Sequence, residues 1–179
     1  MEYQLVRSKR RTLALKITRE GELIACAPYK MPVKEIERFI SEKRKWIEDC
    51  VRRVSAAAQL PVFSAEEIEK YREKTKELVN KKVPYYAELL GVSYGKISVR
   101  KQKTVWGSCS RKGDLSFNLL LSAVRDEIAD YVVVHELCHR KRMDHSPAFW
   151  KWVEKICPDY KTLRKELQKG CSDILLRVR

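Results

Sequence analysis

Apolar residues recur along this chain with two different periods, and the changes of period divide it into elements. The runs RTLALKIT (11–18) and ELIACA (22–27) are short and apolar-rich, and REG separates them. Gly21 can take a positive φ, so the three segments together predict a β-hairpin. Pro32 then suits the first turn of a helix running to about residue 54. Ile36, Phe39, Ile40, Ile47, Cys50 and Val51 fall on one face of that helix, opposite Lys, Arg and Glu. VSAAAQLPVF (54–63) reads as a linker. Ser64 and Glu67 have the spacing of a capping box and predict a second long helix over about 65–90, closed by GVSYGK. There the period shortens to two. ISVRKQ and TVWGSCS alternate like strands, RKG turns the chain, and DLSFN supplies another strand. Helical spacing returns over about 125–141, 147–156 and 159–169. The order predicts an α+β fold in two parts: an N-terminal β-hairpin plus helix region over 1–60, and a mixed domain over 61–179.

Composition adds limits to this outline. At 179 residues, with 44% hydrophobic and 35% charged positions, the chain can bury a core without disulfides. Six cysteines occur without any CxxC pair and read as reduced thiols, mostly small core residues. No apolar run is long enough for a membrane span, and the N-terminus has no apolar signal region. The expectation is a cytoplasmic protein without membrane partners. A net charge of +14 suits anionic partners, nucleic acid and nucleotides among them, or simply a well-solvated basic surface.

The candidate chemistry lies in YVVVHELCHRKRMDHSPAFW (131–150), which holds all three histidines of the protein: His135, His139 and His145. HELCH matches H-E-x-x-H, a pattern expected by chance roughly once in two hundred such chains. Helical residues four apart are offset by about 40° and about 6 Å, so His135 and His139 project from one face on successive turns. Two imidazoles so placed can grip one metal ion. Glu136 lies about 100° further round, within reach of a water on the metal but outside its coordination shell. For His145 to close the set, the chain must leave the helix after Arg142 or Met143. Asp144 suits that exit because Asp tolerates the left-handed conformation and caps turns, and Pro147 starts the next helix. Three histidines leave a fourth coordination position open, as in catalytic rather than structural zinc sites. Cys138 points away and reads as a packing residue. Arg140, Lys141 and Arg142 either attract anionic substrate or are ordinary helix C-terminal cations. Tyr131, Tyr160 and Arg164 are candidates for stabilising an oxyanion.

With TVWGSCS, GDLSFNLLL, the histidine segment and CPDYKTLRKEL in this order, the chain resembles the YgjP-like metallopeptidases, relatives of the SprT-like zincins. LVRSKRRTLALKI and KWIEDC extend the resemblance over nearly the whole chain. The resemblance implies a zincin-like metal-dependent hydrolase domain over 61–179. It also implies one Zn2+ held by His135, His139 and His145, with Glu136 as catalytic base. Other divalent transition metals also suit imidazole ligands. The implied substrate is a peptide or protein lying along the WGSCS strand, so Trp106, Gly107, Ser108 and Cys109 become substrate-side candidates. Asn118, at the end of the next strand, is expected to hold the site or to cap a helix. Two positions depart from the family pattern: Val105 stands where Arg is common, and Asp144 where Asn is usual.

Two other functions fit parts of the sequence. A metal-dependent hydrolase of nucleoside phosphates would use the positive charge, but the chain has no Gly-rich phosphate loop and no carboxylate cluster for magnesium. A protease recruited to nucleic acid would use Arg7, Lys9, Arg10 and Arg11, although no helix-turn-helix or zinc-finger signature is present.

Overall fold

The computed structural model describes residues 2–18, 20–169 and 171–178. Its chain divides into two compact units, Met1–Pro61 and Val62–Arg179.

In the first unit, β2 (Ala14–Ile17) and β3 (Leu23–Pro28) form the expected antiparallel hairpin, in register Ala14↔Cys26 to Ile17↔Leu23. Gly21 takes φ 88° in its turn, while Arg19 of that turn lies outside the described residues. The sequence reading lacked β1 (Gln4–Ser8), which pairs parallel to β3 and gives the sheet order β1-β3-β2. The single expected helix is two, α1 (Val33–Glu42) and α2 (Arg44–Ala58), broken at Lys43. Leu23, Ala25 and Ala27 alternate along β3 and pack with Ile36, Ile40 and Ile47 to make the core of this unit. Arg7 is a clamp in this unit: its guanidinium donates to the carbonyls of Pro28, Tyr29 and Met31 at 2.8–3.0 Å.

The second unit opens with α3 (Ala65–Leu90), a 26-residue helix. The Ser64 hydroxyl accepts from the Glu67 N–H at 3.1 Å, and the Glu67 carboxylate accepts from the Ser64 N–H at 2.7 Å. Both halves of the capping box therefore form. A three-stranded sheet follows, in the order β4-β6-β5, from β4 (Ile97–Arg100), β5 (Gly107–Cys109) and β6 (Leu115–Asn118). A short 3-10 turn, Leu119–Ala123, leads into α4 (Asp126–Cys138). Apolar positions surround α4 almost completely, so it runs as a core helix between β5, α3, α5 (Pro147–Ile156) and α6 (Tyr160–Lys169). The short α7 (Ser172–Leu176) ends the chain. Thr75, fully buried on α3, donates from its hydroxyl to the Leu119 carbonyl at 2.7 Å and accepts from the Ser122 N–H at 3.1 Å. Lys82 on α3 reaches both Asp126 and Asp130 on α4, at 2.8 and 2.5 Å. These links fix α4 in its position.

The architecture is α+β. No helix among the described residues is long and apolar enough to cross a membrane. All six cysteines are free, and four of them (Cys26, Cys138, Cys157 and Cys171) are buried.

Candidate metal centre

Helix α4 ends earlier than the expected span of about 125–141. Its last residue is Cys138, and the Arg140, Lys141 and Arg142 amides bond back to Leu137 and Cys138 in a tightened final turn. Asp144 does not use the left-handed conformation expected of it, since no non-glycine residue described has a positive φ. Instead its carboxylate accepts from the Ser146 N–H at 3.2 Å and the Ser146 hydroxyl at 2.7 Å, which turns the chain and opens α5 at Pro147. Those bonds hold the Asp144 carboxyl below its ordinary pKa.

The early exit brings His145 back over α4. The candidate ligand atoms of His135, His139 and His145 lie within 4.8 Å of one another. His135 Nε2 and His145 Nε2 are 3.1 Å apart. Phe149, fully buried, lies against all three rings, with centroid distances of 5.0, 4.7 and 4.9 Å to His135, His139 and His145. His139 Nδ1 is 3.1 Å from the Arg142 carbonyl. A carbonyl only accepts, so Nδ1 carries the proton and Nε2 keeps its lone pair. His135 Nδ1 is buried without a partner among the described residues.

Burial first, and then the neighbouring His139, His145 and Arg164, push the His135 pKa down to about 3. Burial also lowers that of His139, against the opposing pull of the Arg142 carbonyl. Both rings are therefore neutral at pH 7, the state a metal requires. Two ligand nitrogens on a tetrahedral zinc stand about 3.3 Å apart, because Zn–N is about 2.0–2.1 Å. The 3.1 Å between His135 and His145 is close to that spacing. Without an ion the facing lone pairs would have to share one proton; with one, both are used. The residues fit a divalent metal.

Glu136 is 6% exposed and has no hydrogen-bond or ion-pair partner among the described residues. Burial pushes its carboxyl up to about 8. Gly107 explains how the carboxyl fits: a Cβ there would lie 2.8 Å from both Cγ and Oε1 of Glu136. Strand β5 thus needs glycine where the glutamate passes closest. The sequence offered only a general signal for this, a glycine inside a strand pattern.

A cavity of about 460 Å³ opens beside these groups, lined by His135, Glu136, His145 and Tyr131 together with Trp106 and Gly107. Tyr131 lies one turn before His135 on the same face of α4, with its ring 5.8 Å from the imidazole. Burial raises its phenol to about 12, although Arg164 pulls the other way. Ser108, Cys109 and Asn118 do not line this cavity among the described residues. Ser108 is exposed, and burial followed by the Glu136 charge raises the Cys109 thiol. Asn118 is 1% exposed; its amide donates to the Gln102 and Val105 carbonyls at 2.7 and 2.8 Å, and its oxygen accepts from the Leu120 N–H at 3.1 Å. It caps the 3-10 turn and ties down the loop that delivers Trp106.

Cys138 is fully buried and outside the histidine group. Two cations of the basic run are occupied with the fold. Arg140 donates to the Ser93 and Arg111 carbonyls at 2.9 and 3.2 Å, and Lys141 to the Gly91 carbonyl at 3.2 Å.

Comparison with known proteins supplies the class. A family model for the YgjP-like metallopeptidase domain matches residues 64–170, more than half of the chain. The protein is a metallopeptidase, and it belongs to the YgjP-like family. Among solved structures the chain is similar to the metallopeptidase zymogen of Pyrococcus abyssi abylysin. That match has 25% identity, covers 52% of this chain and 95% of the other, and has a TM-score of 0.47, too loose to transfer any residue. No curated protein matches the chain.

Proposed function

We propose that the protein is a zinc-dependent peptidase in which His135, His139 and His145 hold one Zn2+ and Glu136 is the general base. The observation that carries this reading is the convergence of three imidazoles beside a buried, unpartnered carboxyl in one cavity. The ion, when bound, would polarise the scissile carbonyl and acidify a water. Burial alone keeps Glu136 protonated at neutral pH, so its carboxylate form depends on the positive charge of an occupied site. As a carboxylate it takes the proton of the attacking water on an Oε and then passes it to the departing amine. Its buried setting favours holding the proton between those two transfers. Tyr131, protonated throughout the neutral range, is placed to donate its hydroxyl to the carbonyl oxygen as charge develops there. Phe149 packs beneath the imidazoles and keeps water from that side. Gly107 leaves room for the carboxyl of Glu136, and Asn118 positions the Trp106 wall.

Neither alternative gains from the structure. Glu136 is the one carboxylate among the described residues that line the cavity, which gives magnesium-phosphate chemistry no cluster to use. Of the basic residues suited to nucleic acid, Arg7 spends its guanidinium on three backbone carbonyls. To test the peptidase reading, zinc-loaded wild type and Glu136→Gln would be incubated with a mixed peptide library and the cuts read by mass spectrometry. Cuts made by the wild type and missing from the variant are expected. Equal cutting by both, or none by either with zinc bound, would overturn the assignment.

A further inference from the structure

Arg164 is the cation of the cavity that none of the proposed chemistry uses. It projects from α6 into the space shared with His135, Glu136 and His145. Its guanidinium lies over the Trp150 ring, 4.7 Å from the centroid, and Trp150 in turn stacks on Tyr160 at 5.2 Å with the planes 13° apart. A cation–π contact of this kind holds a guanidinium in place without using its N–H donors. No carboxylate takes that edge: among the described residues Arg164 forms no ion pair. Glu166, two residues on, is held by Arg125 at 2.6 Å. The protein has thus placed a fixed, unpaired guanidinium beside its candidate metal centre.

The surroundings extend the same charge. A second groove of about 450 Å³ shares Trp150, Arg164 and Gln168 with the cavity and continues past Lys161 and Lys165. Lys161 and Lys165 are four apart and Lys161 and Arg164 three apart, so one face of α6 presents three cations along the path leading from the histidines. Among the described residues, this groove is lined by three cations and no acidic side chain. Guanidinium edges recognise carboxylates through paired N–H donors.

We propose that Arg164 binds a carboxylate of the peptide substrate, either the chain terminus or an Asp or Glu side chain, and so sets the preference of the enzyme for acidic peptides. The proposal rests on the peptidase reading for its substrate class, and the experiment separates the two. Zinc-loaded Glu136→Gln protein would be titrated calorimetrically with one Gln-containing peptide, either free or amidated at its C-terminus. Amidated versions with a single Glu walked along the sequence complete the set. At least one carboxylate-bearing peptide should bind roughly tenfold tighter than the neutral amide, as one charge-assisted pair provides. Tight binding of the free acid identifies the terminus; tight binding of one Glu position identifies a side chain. Adding Arg164→Gln should bring the ratio close to one. Arg164→Lys, which keeps the charge but not the fork, should leave a reduced ratio above one. Equal affinities for all peptides, no binding by any of them, or a preference that survives Arg164→Gln in a folded protein would each overturn the proposal. Wild-type turnover is measured alongside. Preference without cleavage keeps the carboxylate site and removes the peptidase reading, whereas cleavage without preference does the reverse.

Discussion

The two units of this protein bury different things. Among the described residues, the core of the first unit is wholly apolar: Leu23, Ala25, Ala27, Ile36, Ile40 and Ile47. The buried polar side chains, Thr75, Asn118 and Glu136, all belong to the second. Two of these three are satisfied by the fold, since Thr75 and Asn118 each make several hydrogen bonds to backbone. Glu136 makes none, and its carboxyl is raised to about 8 as a result of its burial. Burying a carboxyl without a partner costs folding free energy, so a site that does it needs a compensating charge or a task. The contrast separates the buried polar residues that brace the fold from the one proposed to react.

The sharpest way to break this contrast is Glu136→Gln. It should lower peptidase activity about 10³-fold or more, within the range that general-base residues supply, while zinc content stays at one ion per chain. Activity within tenfold of wild type would move the reacting group elsewhere. Removal of the metal by a chelator should come next in size. It should destabilise only the second unit, by RT ln(1 + [Zn]/Kd), which is roughly 4 kcal/mol at a thousandfold excess over Kd. Trp106, Trp150 and Trp152 report on that unit and Trp46 on the first, so single-tryptophan variants would show whether the loss is confined as expected.

Gly107→Ala should displace the Glu136 side chain, since the new methyl would sit 2.8 Å from its Cγ and Oε1. A drop of roughly ten- to a hundredfold in kcat is expected, of the order a misplaced catalytic group produces. Unchanged kcat would mean that the close approach has no bearing on the reaction. Asn118→Ala should act on stability first, by about 1–3 kcal/mol, because the Gln102 and Val105 carbonyls lose their donor. Denaturant unfolding measures it, and a larger loss of activity than of stability would make Asn118 more than a brace.

The smallest effect is one of pH, in metal-free protein. Glu136 has a pKa of about 8 when folded against an ordinary 4.5, so between those values the native state holds a proton that the unfolded state has released. Its contribution is fully present below pH 4.5 and is lost as the pH rises through 8. Relative to Glu136→Gln, wild type should therefore lose stability progressively across that window. A constant difference between the two melting curves from pH 5 to pH 9 would contradict the burial argument.

Local signals made much of this legible in sequence. Ser64 with Glu67 set the start of α3, and HELCH with His145 singled out the histidine group. What escaped was set by longer-range contacts. Strand β1 is short, carries charge and pairs parallel to β3 without any turn between them to mark it. The break at Lys43 has no proline or glycine to signal it. Helix α4 stops at Cys138, three residues short of the expected end, because the next residues turn to deliver His145. The meaning of Gly107 depends on a neighbour 29 positions later in the chain, and that of Arg164 on its contact with the Trp150 ring.

X-ray absorption at the zinc edge of the loaded wild-type protein tests the central claim most directly. Three imidazole nitrogens at about 2.0–2.1 Å with one further oxygen ligand are predicted, and the imidazole signal should diminish in His145→Ala. A sulfur ligand at about 2.3 Å, or four protein ligands with no open position, would contradict the account.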